Sequence, residues 1–379
     1  EGRVDYRRVL RHRTLPHPCY RKRIWFSLVR HRLQQGLKLL LIKGEAMENQ
    51  QVLIDRLPSG KLQVSDYRLK DSAMPEIRDD EVLIKTQAFA ITAGTRAGLQ
   101  GSASYAGAPA AGRVMNGTGI GEVVASNVHK IKVGDRVTAP TGWQQYAALN
   151  ADQVTVIAAD HDPIHYLGPM GVNGLTAYFG LLDVGKPKPR ETVMVSAAAG
   201  SVGHMVGQMA KIQGCEVVGV CGSDEKGRLL VEQLGFDRTV NYKDANYRQS
   251  LKEATPNGVD VYFDNTGGMI LGSALFRMNV AGRIACCGVV SQYDTNTPEP
   301  GPKGVPGLLV NKRITMQGFL LFDYEERYVE ARSEIYAWLS SGKMTSLQDE
   351  VSGLAAAPEA FVDLLSGGNV GTRIVRLDQ

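Results

Sequence analysis

The sequence predicts an α/β protein in which a doubly wound domain is inserted into a β-rich one. Three observations carry this reading. Between Met47 and about residue 165 the chain is a series of short strand-like runs broken by Gly and Pro, at 81–91, 119–126, 134–140 and 144–150. Closely spaced short strands with turn residues between them suit a compact barrel better than a layered domain. From about residue 190 the rhythm becomes strand then helix. Apolar strands at 192–197, 216–222, 238–242, 259–265 and 283–290 alternate with helical patterns at 201–213, 224–234, 246–254 and 269–279. Strands apolar on both faces belong to a parallel sheet covered by helices. Finally, 368–377 reads as a strand that returns to the first domain.

The remaining elements follow in order. Residues 291–306 are rich in Pro and Gly and form a loop whose length suggests function, 313–322 reads as a strand, and 324–343 as an amphipathic helix. The expected organisation is an extension over 1–46 outside the fold, a first catalytic part over 47–168, a nucleotide-binding domain over 169–310, and the rest of the catalytic domain over 311–379.

Charge separates the extension from the rest. Residues 1–46 hold 12 of the 43 Lys/Arg and only 3 of the 39 Asp/Glu, so the basic excess lies entirely there. Translated upstream sequence, a targeting peptide and a basic arm all fit this segment, and Met47 is the expected start of the fold. The remainder is slightly acidic, which argues against a nucleic-acid partner. No apolar run approaches the ~18 residues a membrane helix needs. Five cysteines, Cys19, Cys215, Cys221, Cys286 and Cys287, are too scattered for a disulfide framework and include no CxxC pair. A reduced, cytoplasmic protein is expected.

The chemistry begins at "TVMVSAAAGSVGHMVGQMAK", residues 192–211. An Ala-x-x-Gly-x-x-Gly turn follows a strand and opens a helix, the context in which a glycine turn holds a dinucleotide. Gly200 allows backbone to approach a pyrophosphate, Gly203 allows the helix to pack on the strand, and the helix N-terminus meets the negative charge. About 20 residues on, an NAD site wants a carboxylate on the ribose. Here the strand ends Cys221-Gly222-Ser223, followed by Asp224, Glu225 and Lys226. Ser223 and Lys226 suit a 2′-phosphate. A one-step shift would set Asp224 on the ribose, whereas its expected place is the start of the next helix. NADPH is therefore the expected cofactor.

Over nearly all of 47–379 the chain resembles the zinc-independent medium-chain dehydrogenase/reductases, and is most similar to their prostaglandin reductase/leukotriene dehydrogenase group of NADPH-dependent alkenal/one reductases. The matching stretches include "GTGIGEVVAS", "LTAYFGLLDVGKPKPRETVMVSAAAGSVG", "VYFDNTGG", "CCGVVSQYD", "NKRITMQGF" and "GNVGTRIVRL". The resemblance implies a Rossmann domain inserted in a GroES-like catalytic domain, and a homodimer. It also implies a cofactor cradle at Gly200, Ser201, Val202 and Gly203, with Lys226 and Tyr242 on the 2′-phosphate and Thr176 and Asn265 along the nicotinamide half. Cys287, Gly288, Val289 and Tyr293 would wrap the cofactor, Phe319, Leu320 and Leu321 would lie beside the nicotinamide, and Asn369 would reach it from the C-terminal lobe.

Zinc-binding relatives carry a Cys and a Gly-His-Glu near the metal. This barrel region has no cysteine, and "GTGIGE" stands where the His belongs, so no catalytic metal is expected. The implied activity is reduction of the C=C bond of an α,β-unsaturated ketone or aldehyde by hydride transfer to the β-carbon. Tyr293 is the candidate catalytic residue, as hydrogen-bond donor or proton source; otherwise it only covers the cofactor. Quinone reduction and NADPH binding without catalysis are the alternatives.

One departure stands out. Thr92-Ala93-Gly94-Thr95-Arg96 replaces an Asp-Pro-Tyr-Met-Arg-like stretch, so Gly94 stands where an aromatic ring would line the substrate pocket, and Tyr105 is a candidate to fill the space. Arg96 is expected in a structural salt bridge, Trp143 in the barrel core, Cys286-Cys287 in a strand core, and His161 and His165 on the surface.

Overall fold

The computed structural model describes residues 48–101, 108–298 and 300–377. The extension over 1–46, Met47, Cys19 and Tyr105 lie outside the described residues.

Strands β1 (Glu48–Ile54) and β2 (Tyr67–Ala73) pair with each other. The β-rich part then runs through β3 (Glu81–Ile91), α1 (Gly94–Leu99), β4 (Gly119–Ser126), β5 (Arg136–Ala139), β6 (Tyr146–Asn150) and β7 (Thr155–Val156). Buried residues alternate along β3 from Val82 to Thr86 and become continuous from Ala88 to Ile91. The switch from one covered face to two fits the centre of this sheet, where β3 contacts three strands. Trp143 is fully buried between Tyr67 and Phe89, with Phe361 at its edge. Burial of each such side chain stabilises the barrel by roughly 1.5–3 kcal/mol relative to exposure.

Helix α2 (Val172–Phe179) continues into a π-helical turn at Gly180–Gly185 and leads to the second sheet. Its elements are β8 (Thr192–Ser196), α3 (Gly203–Ile212), β9 (Glu216–Cys221), α4 (Asp224–Leu234), β10 (Arg238–Asn241), α5 (Tyr247–Ala254), β11 (Val259–Asp264), α6 (Gly268–Arg277), β12 (Met278–Cys286), α7 (Val305–Lys312) and β13 (Thr315–Gly318). All six strands are parallel, in the order β10-β9-β8-β11-β12-β13. β8, at the centre, is buried throughout. The chain moves out to one side through β9 and β10, then crosses back to β11 beside β8. A ligand crevice is expected outside the C-terminal ends of β8 and β11, where the order reverses.

Helix α8 (Tyr328–Ser340), β14 (Gln348–Ser352), α9 (Ala357–Leu365) and β15 (Thr372–Arg376) complete the chain. β14 and β15 join the first sheet, in the order β14-β15-β3-β4-β5-β7 with β6 also on β3. The β-rich part is thus built from both sides of the parallel sheet's sequence.

Three sequence expectations shift. The strand expected over 313–322 is only Thr315–Gly318, because the chain then turns into a 3-10 segment at Leu321–Arg327. Helix α8 accordingly starts at Tyr328 rather than 324. The 310/311 boundary falls before the last strand of the parallel sheet, so the return to the first sheet comes later.

Candidate active site

A cleft of about 1220 Å³ runs along the C-terminal ends of β8 and β11. Its first wall is the glycine turn. A Cβ on Gly203 would run into the Ala197 carbonyl oxygen and the Ala198 backbone, so only glycine permits this approach of α3 to β8. Ala197 itself adopts φ 47°, a left-handed conformation that costs a non-glycine residue about 1 kcal/mol. Ser201, Val202 and Gly203 donate their N–H groups to no acceptor among the described residues. Free N–H groups at a helix start that line a cleft form an anion cradle.

The turn is latched to the C-terminal segment. Gly371 N donates to Ala199 O at 2.8 Å, and Ser201 Oγ donates to Gly371 O at 3.2 Å. Asn369 Nδ2 donates to the same Gly371 carbonyl at 2.9 Å. His204 makes a further link. Its Nδ1 lies 2.9 Å from Gly200 O, while Leu347 N donates to its Nε2 at 3.3 Å. Complete burial holds this imidazole at a pKa of about 4, so the ring is neutral, with Nδ1 as donor and Nε2 as acceptor.

At one end of the cleft stand Lys226, Tyr242 and Lys243. Lys226 Nζ donates to Gly367 O at 2.6 Å and Asn369 O at 2.7 Å. Burial pushes its pKa below the ordinary lysine value, and Lys243 adds to that shift. Lys243 Nζ lies 5.9 Å from the Tyr242 ring centroid. Sequence reasoning singled out Tyr242 and missed Lys243; its place directly after Tyr242 was the available signal. Ser223 does not line the cleft. It caps α4, its Oγ accepting from Lys226 N at 3.3 Å. Asp224 is the first residue of α4, also off the cleft, and accepts from Asn241 Nδ2 at 3.1 Å.

In the middle, Asn265 ties the two central strands together. Its Nδ2 donates to Ser196 O at 2.7 Å and its N–H to Ser196 Oγ at 3.0 Å. Thr176 faces the cleft from α2. Cys287 and Gly288 donate backbone N–H bonds to Asp264 O at 2.9 and 3.1 Å. Burial raises the Cys287 thiol to about 12, which keeps it protonated and a poor nucleophile. Val289 precedes a 3-10 turn at Val290–Gln292 and does not line the cleft, whereas Tyr293, at the end of that turn, does.

The loop that carries Tyr293 is pinned to the barrel by the residue after it. Asp294, at φ 60°, accepts from Arg96 Nε at 3.1 Å and from Leu62 N at 2.5 Å. Arg96 is 0% exposed and also donates Nη2 to Gly60 O at 2.5 Å. The expected structural salt bridge thus connects the two sheets' segments across 198 positions of sequence.

The far end of the cleft holds Phe319, Leu320 and Leu321, together with Gly94, Tyr166, Tyr328 and Arg332. Phe319 packs edge-on to Phe263, ring centroids 6.3 Å apart. A Cβ on Gly94 would meet nothing within 4 Å, so this position does leave room.

Residues 50–157 match the family model "N-terminal domain of oxidoreductase", and 201–336 match "Zinc-binding dehydrogenase". The 2-alkenal reductase (NADP(+)-dependent) of Nicotiana tabacum is 38% identical over 346 residues, covering 89% of this chain and 99% of the relative. Prostaglandin reductase 1 of Bos taurus is 39% identical over 319 residues, 82% of this chain and 94% of that one. Among solved structures, CurA from Vibrio vulnificus in complex with NADPH superposes with a TM-score of 0.83 at 36% identity, covering 87% of this chain and 99% of that one.

The chain is a medium-chain dehydrogenase/reductase.

Although one matching description names zinc, the four described cysteines of this dehydrogenase/reductase, Cys215, Cys221, Cys286 and Cys287, lie in the parallel-sheet half. Among the described residues no three His, Cys, Asp or Glu gather into a ligand set. The two expected surface histidines are neither free nor fully exposed. His161 Nδ1 lies 2.9 Å from the Tyr166 hydroxyl and its ring sits 4.0 Å from that of Tyr336. His165 has its Nδ1 buried with no partner, and burial lowers its pKa. Both were read as surface residues because the turn that carries them, and that sets His161 against Tyr336 of α8, leaves no periodic signal.

Proposed function

We propose that the protein uses NADPH to reduce the C=C bond of α,β-unsaturated ketones and aldehydes, delivering hydride to the β-carbon without a metal. The observation that carries this reading is continuity: one cleft joins the free N–H cradle at Ser201–Gly203 to the wall of Tyr293 and Phe319–Leu321. Relatives named 2-alkenal reductase and prostaglandin reductase 1, and the NADPH complex of CurA, support it.

NADPH, when bound, supplies the hydride. The glycine turn would hold its pyrophosphate, and Lys226, Tyr242 and Lys243 its 2′-phosphate. Ser223 would act indirectly, by fixing the start of α4 beneath Lys226. Thr176, Asn265, Cys287, Gly288, Phe319, Leu320 and Leu321 would orient and enclose the nicotinamide half, with Asn369 closing from the C-terminal segment; Val289, off the cleft, would act only by leading into the turn that carries Tyr293. Hydride arrival at the β-carbon leaves an enolate whose oxygen needs a donor. Tyr293 would donate its phenolic hydrogen bond to that oxygen, and a proton added at the α-carbon completes the saturated carbonyl product.

The domain reading becomes 47–168 with the C-terminal residues after Gly318 as the catalytic part, and 169–318 as the nucleotide-binding part. A homodimer through β13 is supported by its position at the sheet edge and by the exposure of Phe276, Val280 and Val310 on the elements that precede it in sequence. A cytoplasmic setting is supported by four described free thiols; no described helix is long and apolar enough to cross a membrane.

The test follows NADPH absorbance with a medium-chain enone and with a simple quinone, and identifies the product. The expected result is a saturated ketone, and Tyr293→Phe lowering kcat about 100-fold. Turnover of quinone alone would overturn the reading.

A further inference from the structure

We propose that Asn173, together with the free N–H groups at the start of α2, is a hydrogen-bond donor, in addition to Tyr293, for the substrate oxygen that gains charge during hydride transfer. The inference rests on the reductase reading above and adds a catalytic residue to it.

Asn173, Asn265 and Asn369 are buried asparagines that line the cleft. Two of them have their amides tied to backbone. Asn265 Nδ2 donates to Ser196 O, and Asn369 Nδ2 donates to Gly371 O. Asn173 differs. It is 5% exposed, and its amide has no hydrogen-bond partner among the described residues. Neither amide atom is sealed inside the protein, so the little surface they keep opens on the cleft. A buried amide without a partner costs stability until a ligand or water completes it. Hydroxyls elsewhere on the wall are taken: those of Thr92 and Thr95 lie 2.9 Å apart, and Ser291 Oγ donates to Thr266 O at 2.6 Å.

The backbone around Asn173 adds to its donor. Helix α2 opens at Val172, and its N-cap, Gly171, has no side chain with which to cap it. Val172 and Asn173 donate their N–H groups to no acceptor among the described residues, whereas Gly174 N and Leu175 N donate to Gly168 O and Gly171 O at 3.1 and 3.0 Å. An uncapped helix start carries partial positive charge. Helix α4 shows the contrast, because Ser223 caps it and it turns away from the cleft. Val172 and Asn173 both line the cleft, and Thr176 follows Asn173 one turn on, along the same face.

A helix start and an amide donor together suit an oxygen that becomes negative better than a neutral group such as the nicotinamide carboxamide. As the β-carbon of an enone gains hydride, its π electrons move onto the carbonyl oxygen. Asn173 Nδ2 donates to that oxygen and keeps its proton, so the proton added at the α-carbon comes from elsewhere. Donors fixed in place before the reaction favour this charge without reorganising. Nothing of opposite sign competes for them: among the described residues the one carboxylate that lines the cleft is Glu325, which is exposed at the rim.

The test compares wild type, Asn173→Leu and Asn173→Ser in single-turnover reduction of a medium-chain enone. In parallel, 4-nitrophenolate, a stand-in for the enolate, and its neutral methyl ether are titrated calorimetrically into the NADP⁺-bound protein. In Asn173→Leu the hydride-transfer rate should fall about 100-fold, as for loss of one oxyanion donor. The KM for the enone and the Kd for NADPH should move less than about three-fold, since the interaction strengthens only as charge develops. Phenolate affinity should fall about 10- to 100-fold, the span of a charge-assisted hydrogen bond, with the ether unaffected. Asn173→Ser restores part of both losses. An unchanged hydride-transfer rate would overturn the proposal. So would a loss carried by NADPH affinity, which would place the amide on the nicotinamide. Phenolate affinity that holds in Asn173→Leu, or falls equally with that of the ether, would leave Asn173 a part of the fold alone and also overturn it. Where Asn173→Leu loses the wild-type thermal melt, Asn173→Ala is read against the same outcomes. If wild type reduces no enone, the reductase reading itself fails. The phenolate titration still decides the donor site: affinity lost in Asn173→Leu supports it, and no binding to wild type overturns it.

Discussion

The two ends of the cleft are built differently. At the nucleotide end the determinants are mostly backbone: free N–H groups at Ser201–Gly203, a glycine-only approach of α3 to β8, and the C-terminal segment latched onto the turn. At the substrate end they are the side chains of Tyr166, Tyr293, Phe319 and Arg332, from distant parts of the sequence, and the space left at Gly94. Backbone requirements restrict residue type within a short window, so they leave a mark in the sequence. A pocket assembled from scattered side chains leaves none, and can change its substrate without disturbing the fold.

The largest expected break of this contrast is Gly203→Val. Its side chain collides with the Ala197 carbonyl, so NADPH affinity falls more than 100-fold, or the protein no longer folds; fluorescence titration and thermal melts read both. A variant that binds as wild type does would remove the backbone argument.

Asp294→Ala tests the pin between the halves. It leaves Arg96 fully buried without its carboxylate, and loss of one partner of a buried pair costs about 3–5 kcal/mol. Urea denaturation should show a loss of that order, with kcat falling as Tyr293 is released. An unchanged midpoint would mean that the loop is held by other contacts.

Lys226→Ala is smaller and more selective. Loss of a charged phosphate partner should raise the Kd for NADPH about 10- to 100-fold while the Kd for NADH moves far less. Equal losses would show that Lys226 acts only through its bonds to Gly367 and Asn369. The smallest effect is at the other end. Gly94→Tyr finds open space, so stability should hold within about 0.5 kcal/mol, while kcat/KM shifts a few-fold towards small enones. An unchanged substrate profile would show that Gly94 does not bound the site.

Legibility in the sequence follows the same division. β3 and β4 fall where alternation and turn residues set them, at 81–91 and 119–126, and α4 begins at its Ser223 cap. Helix α7 was hidden in a Pro- and Gly-rich stretch, although Pro306 in its first turn is a helix-start signal. β13 looked longer because the apolar run at Phe319–Leu321 continues its pattern, yet those residues serve the cleft rather than the sheet. Arg332 was invisible for the opposite reason. In a helix with Arg327, Glu330 and Glu334 around it, a charged residue reads as a solvated face, and only its contacts with Tyr166, Tyr328 and Met170 set it apart.

The central claim is that the cleft delivers hydride to the β-carbon of an enone. Reduction of a medium-chain enone with NADPH deuterated at the transferable C4 position, followed by NMR of the product, tests it most directly. The account predicts one deuterium on the β-carbon of a saturated ketone and none on the carbonyl carbon. Deuterium on a carbinol carbon, or an enone recovered unlabelled while NADPH is bound, would contradict it.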